Sequence, residues 1–148
     1  MHIINIYNLG DVSLKIKKWM KRNVNTIQET ANVFDAAVNM KDNFVSSLIV
    51  VVNGQPLGIV TERDIVYKAV ALDKPSKETK VSDVMTKTLI KANINDSVAE
   101  VSRRMGLAKI KQIPIVDEDN TLVGIVTSTD LVRVISHFQK DMDAITGK

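Results

Sequence analysis

The sequence predicts an α+β fold made of two copies of one βαββα unit. Three observations predict it. The segment Gly58-Ile59-Val60-Thr61-Glu62-Arg63-Asp64 recurs 66 residues later as Gly124-Ile125-Val126-Thr127-Ser128-Thr129-Asp130. Upstream the spacing is 65, which sets Met20 on Met85, Val33 on Val98 and Met40 on Met105. Val and Ile together number 36 against 9 Leu, a bias toward short buried strands in a mixed fold. The lost residue falls between two turns, Val52–Pro56 and Asp117–Thr121, where length changes are tolerated.

The elements follow in order. Residues 1–13 lie outside the repeat as an N-terminal extension, and the first repeat spans 14–72. Val33, Ala36 and Met40 recur at helical spacing and form one face. Leu48–Val52 is a short apolar strand. Asn53-Gly54 is a hairpin signal, because both residues tolerate the positive φ of a type I′ turn. Leu57–Val60 returns antiparallel, and Thr61 caps a helix carrying Ile65, Val66 and Ala69. Residues 73–80 are polar, contain Pro75 and read as a linker.

The second repeat, 81–138, repeats the order. Thr88-Leu89-Ile90 is a short extended segment. Ser97 and Glu100 have capping-box spacing ahead of Val98, Val101 and Met105. Ile113–Val116 and Leu122–Val126 form the second antiparallel hairpin across a polar turn. Thr127 caps a helix with Leu131, Val134 and Ile135 on one face, and residues 139–148 read as its fraying tail.

Composition narrows the chemistry. The chain has 148 residues, 45% hydrophobic and 25% charged, which is ordinary globular composition. Cys is 0, so disulfides, thiolate nucleophiles and Cys-bound zinc are excluded, and a reducing compartment is favoured. The two His, His2 and His137, are far apart, so no His-based metal site is expected. No phosphate-loop, nucleophile-elbow or zinc-protease motif occurs, and no catalytic residue is assigned. The longest apolar run is Leu48–Val52, far short of the roughly 20 residues that cross a bilayer. The start has no basic, apolar leader. The expectation is a cytoplasmic, non-membrane protein.

Several features have bland readings. Lys15, Lys17, Lys18, Lys21 and Arg22 surround Trp19 and could touch nucleic acid, but a solvated face is preferred. Asp117-Glu118-Asp119 is a polar turn and lacks the spacing of a calcium loop. Met20, Met40, Met85 and Met105 are core gap-fillers, and His137 is a last-turn cation or an exposed side chain. Thr-x-x-Asp can be a helix cap alone. It also sets free backbone N–H groups, a hydroxyl and a carboxylate at a positive helix end, which suits a phosphate and a ribose.

Three marks together carry a family resemblance: Val81-Ser82-Asp83-Val84-Met85-Thr86, Ile113-Pro114-Ile115-Val116-Asp117, and the doubled Gly-apolar-apolar-Thr-x-x-Asp. Over about residues 14–138 the chain resembles a tandem pair of CBS domains, a Bateman module. The first repeat departs from the pattern at Trp19-Met20-Lys21 and at Ile49, which stands where the second has Pro114. The resemblance implies two βαββα repeats packed through their sheets with pseudo-twofold symmetry, and two clefts. It implies regulatory binding of AMP, ADP, ATP or S-adenosylmethionine, with no catalytic cofactor. One cleft would use Thr61, Arg63 and Asp64 with Thr88, Leu89, Ile110, Lys111 and Gln112. The other would use Thr127, Thr129 and Asp130 with Asn23, Val24, Val45, Ser46 and Ser47. The aspartates would hold ribose, and hydroxyls and cations would hold phosphate. Arg63 and Lys111 favour the first cleft for a polyphosphate, and the second, with hydroxyls but no cation among its residues, for AMP or an adenosine-like ligand. The family also implies a homodimer and a regulated protein partner. The alternatives are a nucleic-acid-associated protein using the Lys15–Arg22 face, or a structural dimerisation module.

Overall fold

The computed structural model describes residues 14–147; the N-terminal extension lies outside them. Two compact units are present. The first comprises residues 23–90 and 119–122, and the second 14–22, 91–118 and 123–147.

The first unit runs β1 (Thr26–Gln28), α1 (Val33–Asn43), β2 (Ser47–Val52), β3 (Gln55–Thr61), α2 (Glu62–Lys68) and α3 (Val81–Val84). Its sheet has the order β1-β2-β3, with β1 parallel and β3 antiparallel to β2. Asn53 and Gly54 take φ 51° and 78°, the doubly positive geometry expected of the hairpin. The β2–β3 register shifts between Val50 and Val51, so Pro56, which has no N–H, sits beside an irregularity in the ladder. Asn32 caps α1 by accepting from Asp35 N–H at 2.8 Å. The linker is docked: Thr79 is buried, and its carbonyl accepts from Val33 N–H at 2.9 Å.

The second unit runs β4 (Ala92–Asn93), α4 (Val98–Ala108), β5 (Gln112–Val116), β6 (Leu122–Thr127) and α5 (Ser128–Thr146), with sheet order β4-β5-β6. Three sequence expectations need correction here. Thr88-Leu89-Ile90 joins no strand, and pairing starts at Ala92. Ser97 accepts from Glu100 N–H at 3.1 Å, but the Glu100 carboxylate does not complete a capping box. Arg103 and Arg104 hold it instead, at 3.0 and 2.8 Å. They also keep its carboxyl below the usual glutamate range, Arg103 most strongly. The tail after Phe138 does not fray. It continues α5 to Thr146, braced by the i,i+4 pairs His137–Asp141 and Gln139–Asp143. His137 is therefore mid-helix, edge-on to Trp19 at 5.3 Å between ring centres.

Each unit encloses its own apolar cluster. One is built on Val33, Leu48, Val50, Val60, Val81 and Val84, the other on Ile16, Val101, Ile113, Ile115 and Val126. Every one of these side chains is essentially sealed from solvent, worth about 1.5–3 kcal/mol each. All four repeat-equivalent methionines are buried.

The units and the sequence repeats are offset. The segment leading into the first repeat lies in the second unit, and the segment leading into the second repeat lies in the first. Lys21 and Ile125 exchange backbone hydrogen bonds, both at 2.9 Å. Thr86 and Ile59 do the same, at 2.8 and 3.0 Å. Gly58 and Gly124 make these bridges possible. A Cβ on Gly58 would stand 2.6 Å from the Thr86 carbonyl oxygen; one on Gly124 would stand 2.5 Å from Met20 Sδ and 3.0 Å from the Lys21 carbonyl oxygen.

Candidate functional site

Each Thr-x-x-Asp segment turns a strand into a helix, as its capping chemistry requires. Thr61 ends β3 in an extended conformation, and its hydroxyl accepts from Asp64 N–H at 3.1 Å. Asp64 Oδ2 accepts in return from Thr61 N–H and Oγ1–H, both at 3.0 Å. Thr127 and Asp130 repeat this reciprocal box. Oδ2 accepts from Thr127 N–H at 2.9 Å and from Oγ1–H at 2.8 Å, and Asp130 N–H donates back at 3.3 Å. Both helices begin where the sequence places them.

The aspartates are buried, Asp64 at 9% exposure and Asp130 at 2%. An acid whose task is capping needs one oxygen and gains from solvent at the other. Here the second oxygens diverge. Asp64 Oδ1 lies 2.7 Å from Lys68 Nζ, which also donates to the Val84 carbonyl at 3.0 Å. Asp130 Oδ1 is buried and accepts no hydrogen bond from any of the described residues; Lys21 Nζ and the Arg133 guanidinium flank it at 3.6 and 3.7 Å.

The remaining candidates are spread over both units. Thr61, Arg63, Asp64, Thr88 and Leu89 fall in the first unit, and Ile110, Lys111 and Gln112 in the second. Thr127, Thr129 and Asp130 fall in the second, and Asn23, Val24, Val45, Ser46 and Ser47 in the first. Within the first unit, Ser46 O accepts from Glu62 N–H at 2.9 Å, and Ser47 pairs with Thr61 across the β2–β3 ladder. Within the second, Lys111 O accepts from Ser128 N–H at 2.9 Å. Arg63 lays its guanidinium over the Tyr67 ring at 4.9 Å. Thr88, Asn23 and Thr129 are exposed; Leu89, Val24, Val45 and Ile110 are half-buried.

Three cations at the caps were missed by sequence reasoning. Lys68 and Arg133 were findable, since they stand four and three residues after their aspartates on one helix face. Lys21 was not. It lies 109 residues before Asp130 and reaches it only because the lead-in segment pairs with β6. Lys21 stays on the exposed face to which the sequence assigns it, with its ammonium 3.6 Å from Asp130 Oδ1. Lys15 also has a partner, donating to the Asn95 carbonyl at 3.0 Å. Among the described residues, no group of three or more acidic, His or Cys side chains could hold a metal, and no helix is long and apolar enough to cross a membrane.

The CBS-domain family model matches this chain twice, over residues 12–71 and 81–137. The uncharacterized protein YlbB of Bacillus subtilis is 39% identical over 119 residues, 79% of each chain. An uncharacterized Methanopyrus kandleri protein, MK0525, is 32% identical over 123 residues; that match covers 82% of this chain but 63% of the relative. Among solved structures, the CBS domain pair of protein MJ0100, in complex with 5′-methylthioadenosine and S-adenosyl-L-methionine, superposes with a TM-score of 0.72. It is 28% identical, covering 82% of this chain and 95% of the other. A hexameric CBS-CP12 protein from bloom-forming cyanobacteria gives 0.71 at 34% identity, covering 82% and 68%. With the doubled capping boxes, the two sheets and two matches to one family model, the chain belongs to the CBS-domain family and carries the domain as a tandem pair.

Proposed function

We propose that this chain is a regulatory module that binds an adenosine-type ligand, AMP, ADP, ATP or S-adenosylmethionine, and signals to a protein partner without catalysing a reaction. The observation that carries this reading is Asp130. Its carboxylate is buried, one oxygen serves the cap, and the other accepts no hydrogen bond. A ribose presents two adjacent hydroxyl donors, the complement of such an oxygen. The partial positive charge at the N-terminal end of α5 favours negative charge nearby, which suits a phosphate. The MJ0100 domain pair, which binds two adenosine compounds, supports the ligand class. The hexameric cyanobacterial relative supports self-assembly, and a homodimer in the cytoplasm is the form proposed here. The absence of Cys and the two separated His support a binding role over a catalytic one.

The test is thermal unfolding against AMP, ADP, ATP, S-adenosylmethionine and 5′-methylthioadenosine. A ligand at 100 times its Kd stabilises the folded state by about 2.7 kcal/mol. For a chain of this size that raises the midpoint by about 5–10 °C. No shift with any of the five refutes the proposal. Nucleic-acid binding that collapses with salt would favour the basic face instead.

A further inference from the structure

We propose that the two caps differ in function: the Asp130 cap is the ligand site, it takes an adenosine ligand with a 5′-phosphate rather than a sulfonium, and Lys21 and Arg133 are the phosphate-binding residues. This rests on the adenosine reading above and makes it specific.

The caps are nearly identical as capping boxes, so the difference lies in the second carboxylate oxygen. In the first unit that oxygen is closed. Lys68 sits at 2.7 Å, within charge-assisted hydrogen-bond range, and its ammonium is fixed at a second point by the Val84 carbonyl. A ribose hydroxyl would have to break both contacts. Helix α2 is also only seven residues long. In the second unit the oxygen is open in the chemical sense. It is buried and has no hydrogen bond, and its two cations stand at ion-pair distance but beyond hydrogen-bond reach. Their side chains are 55% and 70% exposed, so they can swing aside at small cost. Leaving a buried acceptor unmet is unfavourable, and a ribose hydroxyl relieves it.

Charge selects the ligand. Two cations face one carboxylate, and the start of a 19-residue helix adds partial positive charge. The local balance is positive. Adenosine 5′-monophosphate brings two negative charges and gives Lys21 and Arg133 a partner once the ribose has taken Asp130. S-adenosylmethionine carries a net positive charge and meets repulsion. The sequence assigns a polyphosphate to the first cleft, through Arg63 and Lys111, and AMP or an adenosine-like ligand to the second, for which it offers no cation. In the structure, Arg63 lies over Tyr67.

Lys21 also links the site to the fold. Its backbone is hydrogen-bonded to Ile125 on β6, and the chain passes to the other unit just beyond it, at Asn23. A ligand that draws the Lys21 ammonium off Asp130 therefore acts on the segment that leads from one unit to the next.

Calorimetric titration of the full chain with AMP, S-adenosylmethionine and 5′-methylthioadenosine tests this. The expected results are one AMP per chain, AMP tighter than S-adenosylmethionine by 10-fold or more, and loss of at least 10-fold in AMP affinity in Asp130→Asn. The double variant Lys21→Gln/Arg133→Gln leaves the capping box whole and guards against misfolding. It should weaken AMP 10-fold or more, while 5′-methylthioadenosine, which has no phosphate, binds as before or more tightly. Two equal AMP sites per chain, an undiminished site in Asp130→Asn, or equal loss of both ligands in the double variant overturns the inference but leaves the adenosine reading standing. Failure of all three ligands to bind overturns both.

Discussion

Replacing Gly58 by Ala tests the bridge that joins each lead-in segment to a returning strand, and Gly124→Ala is its internal comparison. The new Cβ at position 58 would stand 2.6 Å from the Thr86 carbonyl oxygen, well inside contact distance. That oxygen accepts from Ile59 N–H, and Thr86 N–H donates back to Ile59, so the clash cannot be relieved without straining two backbone hydrogen bonds. Overpacking costs about 1–3 kcal/mol, and a weakened hydrogen bond about 0.5–1.5 kcal/mol. The entropy removed from the unfolded chain returns about 0.4–1 kcal/mol. The net expectation is a loss of about 2–3 kcal/mol. At position 124 the nearest atom is Met20 Sδ at 2.5 Å, part of a flexible side chain, with the Lys21 carbonyl oxygen at 3.0 Å. Gly124→Ala should cost about 1–2 kcal/mol, since a thioether can rotate where a bonded carbonyl cannot. Urea unfolding of both variants measures the difference. The double variants sharpen it: Met20→Val should recover part of the loss in Gly124→Ala, whereas Met85→Val should recover little in Gly58→Ala. The reasoning fails if Gly58→Ala unfolds within about 0.5 kcal/mol of the parent, or if Met85→Val rescues it as fully as Met20→Val rescues its counterpart.

Three further outcomes are expected. Thr127→Ala and Thr61→Ala each remove a cap hydroxyl and should lower stability by about 1 kcal/mol in urea unfolding, because Asp130 and Asp64 keep the backbone half of each box. Glu100, held below the usual glutamate range by Arg103 and Arg104, contributes stability that is full above that range and is lost as the pH falls through its lowered pKa. Glu100→Gln should therefore flatten the acid limb of a stability-against-pH curve and leave its shape near neutrality unchanged. Lys17→Gln/Lys18→Gln removes two exposed charges that no cap uses, and calorimetric AMP affinity should stay within two-fold, in contrast to Lys21.

What the sequence determined was local. Capping residues act within one turn, so Thr61 and Thr127 located both helix starts. Asn53-Gly54 encodes its own turn in its φ preferences. The apolar runs located β2, β3, β5 and β6 to within one or two residues, and the phased repeat foretold two similar sheets. What only tertiary structure decided involves contacts distant along the chain. Periodicity does not say that residues 14–22 pack in the second unit, or that Lys21 stands beside Asp130. The lost capping box at Glu100 is by contrast a local matter, since the carboxylate goes to Arg103 and Arg104, three and four residues on along the same helix. Helix α5 outlasts the expected fray point at Phe138 partly because the ring of Trp19 packs there, more than a hundred residues away in sequence. The two Thr-x-x-Asp boxes look alike in sequence, and differ in structure because the second carboxylate oxygen of each is answered by whatever the rest of its unit brings to it.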